Sequence, residues 1–195
     1  QKGNRDRMIM ILLYDTAIRI AELLELKISS LKLTSVPSIH IHGKGDKERS
    51  VSITDATVSH LKKYLRQFHP EMLPNQPLFY TKIKGSIVPM SPGNVSRIIN
   101  KYADAIRPEH PNLPKHLHCH MFRRTRATGL YRNGVELEMI SVILGHSSTE
   151  TTRIYATPSI EMLGEAMNTA NSTIPDETPE WEENEDELAR ICGLR

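Results

Sequence analysis

A mainly helical α+β fold with one or two small antiparallel hairpins follows from three features of this 195-residue sequence. Apolar residues recur at helical spacing over most of the chain, two short stretches alternate around glycine-containing turns, and proline or glycine marks nearly every junction. Residues Asp6 to Leu26 are dense enough in Met, Ile and Leu to predict one helix buried on much of its surface, with Arg19 as its odd charge. Next, Ser38 to His42 and Arg49 to Ile53 alternate apolar and polar positions around Gly43-Lys44-Gly45-Asp46-Lys47, which predicts a hairpin. Thr54 or Asp55 caps a helix running through Val58, Leu61, Tyr64 and Leu65 toward Phe68, ahead of Pro70. Leu78 to Thr81 and Ser86 to Val88 fit a second short hairpin around Gly85, and Ser91-Pro92 opens a helix over Asn94 to Ile106. After a connection rich in Pro and His, helices are predicted over Cys119 to Arg132, stopped by Asn133-Gly134, and over Leu137 to Leu144, stopped by Gly145. Thr149 to Ala156 reads as a short helix or turn carrying Tyr155, and Ser159 caps a last helix from Ile160 to Thr169.

Charge divides the chain in two. From Pro175 onward eight acidic residues face two arginines, a net of −6, whereas residues 1–174 hold 23 basic and 15 acidic residues, a net of +8. A basic body of this kind points to a polyanionic partner, of which nucleic acid is the commonest. The acidic segment, with its paired prolines, has the composition of a disordered or partner-docking tail, with Trp181 as an anchor and Leu188, Ile191 and Leu194 as a short apolar stripe. Residues 1–170 are therefore read as one domain and 171–195 as a tail. Two cysteines, Cys119 and Cys192, make no disulfide framework and suit a reducing compartment. No signal peptide pattern is seen and the run Met8 to Tyr14 is too short to span a bilayer, so the expected location is cytoplasmic, with no membrane partner.

Two arginines, two histidines and a tyrosine suffice to attack a phosphodiester without a metal. The pentavalent transition state gathers negative charge, and an arginine fork supplies paired donors that stay protonated. Arg19 is one candidate; a bland alternative pairs it with Glu22 one turn on, or lays its stem along the core. His120 and Arg123 stand three apart on one helix face, though taken alone they are better explained by a solvated basic face shared with Arg124, Arg126 and Arg132. His146 follows Gly145 at a helix end, where a histidine often meets the terminal carbonyls, and Tyr155 alone reads as a core residue. His110, His116, His118, Cys119 and His120 match no zinc pattern, because three of them are adjacent and their side chains diverge. No metal is assigned to them, no cofactor is expected, and Gly43-Lys-Gly-Asp-Lys lacks nucleotide-binding spacing.

Taken in order, Thr16-Ala-Ile-Arg19-Ile-Ala-Glu22-Leu, Gly43-Lys44-Gly-Asp-Lys-Glu-Arg49, His120-Met-Phe-Arg123, and Leu144-Gly-His146 with Tyr155 resemble the catalytic domain of the tyrosine recombinases, the phage-integrase and Xer-like family. The likeness covers roughly residues 5–170. It implies DNA strand cleavage and rejoining for integration, excision or resolution through a 3′-phosphotyrosyl link, on double-stranded DNA, in a self-associated and tetrameric synapse. It further implies that Arg19 and Arg123 clamp the phosphate, His146 adds a hydrogen bond, and His120 takes the Tyr155 proton. Lys44 would protonate the departing 5′ oxygen, with Lys47 its rival in the same turn, and Glu22 would orient the site. Lys47, Arg97, Lys101, Arg124 and Arg126 resemble DNA-facing positions and imply binding that weakens steeply with salt. The family commonly has Gly and Leu before its first arginine, where this chain has Ala17 and Ile18. It also carries a DNA-clamping domain ahead of the catalytic one, and only 18 residues precede Arg19, so the expectation is a portion of a mobile-element integrase. Alternatives are a noncatalytic DNA-binding protein with this fold and a type IB topoisomerase; the Leu-Gly-His and Gly-Lys-Gly contexts favour the recombinase.

Overall fold

The computed structural model describes residues 2–43, 47–146, 148–156, 158, 160–171 and 190, the side chains of 2, 47, 161, 170 and 171 excepted. Residues 1–157 form one compact unit and 158–195 a second. The first contains helix α1 (Lys2–Asp15), α2 (Ile20–Glu25), a 3₁₀ turn (Ile28–Ser30) and strands β1 (Leu31–Lys32), β2 (Ser38–Gly43) and β3 (Lys47–Ser52). It continues through α3 (Asp55–Phe68), β4 (Tyr80–Ile83), β5 (Ser86–Pro89), α4 (Pro92–Ile106), α5 (Cys119–Arg132), α6 (Leu137–Leu144) and α7 (Glu150–Arg153). The second unit contains α8 (Ile160–Asn171). The α+β class expected from the sequence is the one observed, with small antiparallel sheets in the order β1-β2-β3 and β4-β5.

Helix α1 is the organising element. Met8, Ile9, Leu12 and Leu13 are 0–1% exposed, and burying such side chains stabilises a fold by roughly 1.5–3 kcal/mol each. The helix packs against α2, α3, α4 and α5. From the hairpin, Ile39, Ile41 and Val51 join the same core, which extends through Leu61 and Tyr64 of α3 to Val95 and Ile99 of α4. Alternation puts Ile39 and Ile41 inward, so the register Ile41↔Arg49 turns Arg49 inward too. Local chemistry explains most boundaries. The Thr54 and Ser91 hydroxyls accept from the backbone N–H groups of Thr57 and Asn94 and so cap α3 and α4, while α6 ends at Gly145 in the left-handed conformation. A second, smaller core joins Ala17, Ala127, Ile140, Leu144 and Tyr155.

The single helix expected over Asp6 to Leu26 is broken, and the break makes the site. Helix α1 ends at Asp15, and α2 starts after Arg19, whose backbone is extended at φ −72° and ψ 149°. The Thr16 hydroxyl donates back to the Leu12 carbonyl at 2.7 Å and accepts from the Ile18 N–H at 3.3 Å, competing with continued helix. Ala17 then adopts φ +50°, a conformation costing a residue with a Cβ about 1 kcal/mol. This is the position where the resembling family commonly has Gly, and Ala17 tolerates the strain with its side chain fully buried. We expect Ala17→Gly to change stability by less than about 1 kcal/mol, because relieved strain and added chain entropy oppose each other. Ala17→Val adds bulk and β-branching at positive φ and should lower stability by roughly 2–4 kcal/mol, read from urea midpoints at constant m-value.

Candidate active site

Glu22 stands at the centre. Its carboxylate is 5% exposed and accepts four hydrogen bonds. The Arg19 backbone N–H and Nη1 donate at 2.9 Å each, and Arg49 donates end-on from Nη1 at 3.0 Å and Nη2 at 2.9 Å. Burial alone would raise the Glu22 carboxyl, but the Arg49 and Arg19 hydrogen bonds outweigh it and hold the pKa below the ordinary 4.5. The same Arg49 donates from Nε to the Ile143 carbonyl at 3.2 Å, so one ion pair ties α2, β3 and α6 together. Removing one partner of a buried pair costs about 3–5 kcal/mol, since it strands the other charge. Arg19 retains a head 43% exposed to solvent, with Nη2 reaching the Gly145 carbonyl at 3.5 Å.

Arg123 is 1% exposed, an extreme for arginine. Nη1 donates to the Ala17 carbonyl at 2.8 Å and Nη2 to that of Leu144 at 2.7 Å, which fixes the guanidinium plane between the α1–α2 break and the end of α6. The left-handed Ala17 is what turns its carbonyl into that position. Gly145, at φ +63°, then turns the chain from α6 so that His146 Nδ1 meets the buried Thr152 hydroxyl at 2.9 Å. The His146 ring is stacked near Tyr155, with centroids 6.4 Å apart and planes 23° apart. Tyr155 is 4% exposed and packs on Ala17, Ala127, Ile140 and Leu144.

These groups share one electrostatic environment. Burial first, then Arg123, Arg19 and Arg49, push the His146 pKa from 6.5 down to about 4. Burial, Arg123, Arg19 and Arg124 lower His120 as well. Burial and the repulsion from Arg19 bring Arg123 down to about 10, partly offset by attraction to Glu22 and Tyr155. At neutral pH the site thus holds cationic arginines beside neutral imidazoles. A neutral His120 can accept a proton, and neutral His146 can donate its ring N–H.

The sequence matches the model for the phage integrase family over residues 1–162. The chain belongs to the phage integrase family. A tyrosine recombinase of Agathobacter rectalis is 40% identical over 158 residues, covering 80% of this chain and 49% of that protein. Tyrosine recombinase XerC of Staphylococcus epidermidis is 31% identical over 84% of this chain and 52% of its own. Among solved structures, XerA recombinase superposes with a TM-score of 0.70 at 28% identity, over 87% of this chain and 59% of that one. XerH recombinase in a post-cleavage complex with a palindromic difH substrate gives 0.67 at 30% identity, over 85% and 45%. The chain spans about half the length of the curated relatives it matches.

Within this phage integrase domain, Arg19, Glu22, His120, Arg123, His146 and Tyr155 converge, while Lys44 lies outside the described residues and Lys47 is described only in its backbone. Arg97, Lys101 and Arg124 are exposed, whereas Arg126 is engaged with α1, donating to Asp15 at 3.4 Å and lying over the Tyr14 ring. Trp181 and the tail residues Leu188, Ile191 and Leu194 lie outside the described residues. Sequence reading missed Arg49 and Thr152. Arg49 had a usable signal, a charge at an inward position of an alternating strand; Thr152 had none.

Two outcomes follow from this geometry. A Cβ on Gly145 would sit 2.8–2.9 Å from Nη1, Cδ and Cζ of Arg49, which Glu22 and Ile143 hold in place, so Gly145→Ala should cost roughly 1–3 kcal/mol in urea unfolding. The His146 imidazole should titrate by NMR with a midpoint about 4 rather than 6.5. Between those values the unfolded chain binds more protons, so this stabilisation is complete above pH 6.5 and is lost as pH falls through about 4.

Proposed function

We propose that this domain cleaves and rejoins DNA strands, with the Tyr155 phenol as the nucleophile. Arg19 and Arg123 bind the nonbridging oxygens of one phosphate. Arg123 uses two of its five N–H groups on backbone carbonyls and retains the others for that purpose. His146 adds a hydrogen bond, and Glu22 with Arg49 positions Arg19. The Tyr155 oxygen attacks phosphorus as its proton passes to neutral His120; the bond to the 5′ oxygen breaks, and Lys44 protonates that leaving group. One phosphoester replaces another, so attack by a second 5′ hydroxyl reverses the step with a new partner and needs no nucleotide energy source. The observation that carries this reading is the meeting of a buried, carbonyl-anchored Arg123 with Arg19, two depressed histidines and Tyr155.

The substrate in this reading is double-stranded DNA, approached by the basic body, with Arg97, Lys101, Arg124 and Lys47 contacting phosphates and Arg126 supporting α1. Self-association into a tetrameric synapse is part of the same proposal. Supporting it, Met139 and Val142 of α6 and Ile154, the residue before Tyr155, are 56–67% exposed, apolar surface that another protomer would cover. The division into a catalytic domain over residues 1–170 and an acidic tail over 171–195, and action on a mobile element, belong to the proposal as well.

The test is a library of nicked duplexes with randomised sequence at the nick, which traps the cleaved state because the short released strand diffuses away. The protein should form a denaturant-resistant adduct with DNA. Tyr155→Phe should abolish the adduct while DNA retention on filters stays within about twofold. Retention without any adduct from the unaltered protein would instead mark a noncatalytic DNA-binding domain, and an adduct surviving in Tyr155→Phe would remove Tyr155 from its role.

A further inference from the structure

The outward face of the β2–β3 hairpin carries a side-chain cluster that strand cleavage does not use. Ile39, Ile41 and Val51 point into the core, so alternation places His40 and His42 together on the opposite face, with Glu48 and Ser50 across the ladder. The register is His42↔Glu48 and His40↔Ser50. Glu48 Oε1 lies 2.9 Å from His42 Nδ1 and Oε2 lies 3.2 Å from His40 Nε2. The two imidazoles meet edge to face with centroids 5.0 Å apart. One nitrogen from each ring and one carboxylate oxygen all fall within 4.8 Å of one another.

We propose that His40, His42 and Glu48 bind a divalent first-row transition metal of the zinc class, with a fourth position open to water. Two imidazoles and one carboxylate form a donor set suited to such an ion and ill suited to calcium or magnesium, which favour oxygen ligands throughout. Tetrahedral bonds of about 2.0–2.2 Å put ligand atoms about 3.3–3.6 Å apart. The N···O contacts of 2.9 and 3.2 Å are slightly shorter than this and the three donor atoms lie within 4.8 Å of one another, so small side-chain rotations reach the spacing, and the 62% exposure of His42 and 52% of Glu48 leave room for them. A supporting contact is already present: His40 Nδ1 is 3.3 Å from Ser50 Oγ, a partner that fixes the ring while Nε2 faces the ion. The sequence places a different histidine cluster in view, at 110–120, yet His40, His42 and Glu48 are the group that closes to ligand distance among the described residues. Bound there, the ion would staple β2 to β3, the strands that flank Lys44 in the chain; any consequence for cleavage rests on the function proposed above, whereas the binding does not.

Titration of the untagged full chain with Zn²⁺ against a chromophoric chelator tests the site directly. One equivalent should bind, and His42→Ala and Glu48→Gln should each weaken binding by about tenfold or more, the scale on which metal sites respond to losing a polar contact. His116→Ala combined with His118→Ala should leave it unchanged. In parallel, NMR signals of the His40 and His42 rings should shift on addition of Zn²⁺ and not of Ca²⁺, which reads the site even where a variant folds poorly. Stoichiometric binding that survives His42→Ala with those ring signals unmoved would overturn the proposal. So would equal competition by Ca²⁺.

Discussion

The Glu22 carboxylate is the constraint on which the rest of the site depends. It is buried and charged, and it keeps that charge because two arginines from different parts of the chain donate to it. A carboxylate in that environment would otherwise be neutralised by burial. Its own helix is only six residues long, far too short to persist by propensity, so the ion pairs and the packing of Leu23 hold it. Through Arg49 the same group reaches the hairpin and the last turn of α6. Three elements distant in sequence thereby acquire one fixed relation, and Arg19 is aimed by it.

Around this anion the protein assembles more positive charge than one carboxylate can balance. Arg19, Arg49 and Arg123 act on one another and on both histidines. The cost of confining like charges is met by backbone carbonyls that Ala17 and Leu144 turn toward Arg123, and by imidazoles that stay neutral. An uncompensated cationic cluster of this kind is preorganised toward negative charge, since its donors are already fixed by the protein. Packing of Tyr155 among Ala17, Ala127, Ile140 and Leu144 brings the phenol into the same field.

Element boundaries marked by a local side-chain or glycine signal were legible. Helices α5 and α6 end where Asn133-Gly134 and Gly145 imply, and Thr54 and Ser91 cap the starts of α3 and α4 as their chemistry dictates. The break between α1 and α2 was not legible, because apolar periodicity runs through it and neither Gly nor Pro interrupts it. A Thr hydroxyl and a strained alanine make the turn, and the alanine is held by Arg123 and the second core, which come from distant parts of the chain. Six site residues were readable from spaced motifs, five of which converge with Glu22, whereas the partner of Arg49 lies 27 positions away and no local pattern links them.

The sequence by itself determined the fold class, the helix caps, the hairpin alternation and the family to which the chain belongs, since these rest on local periodicity, turn chemistry and ordered motifs. Tertiary structure decided which charges are buried and what they touch. It made Arg123 an interior residue, gave Arg49 its place beneath Gly145, and gathered His40, His42 and Glu48 on one face. The physical reason is that hydrogen-bond geometry and desolvation depend on distance in space, and folding sets those distances between residues that the linear order keeps far apart.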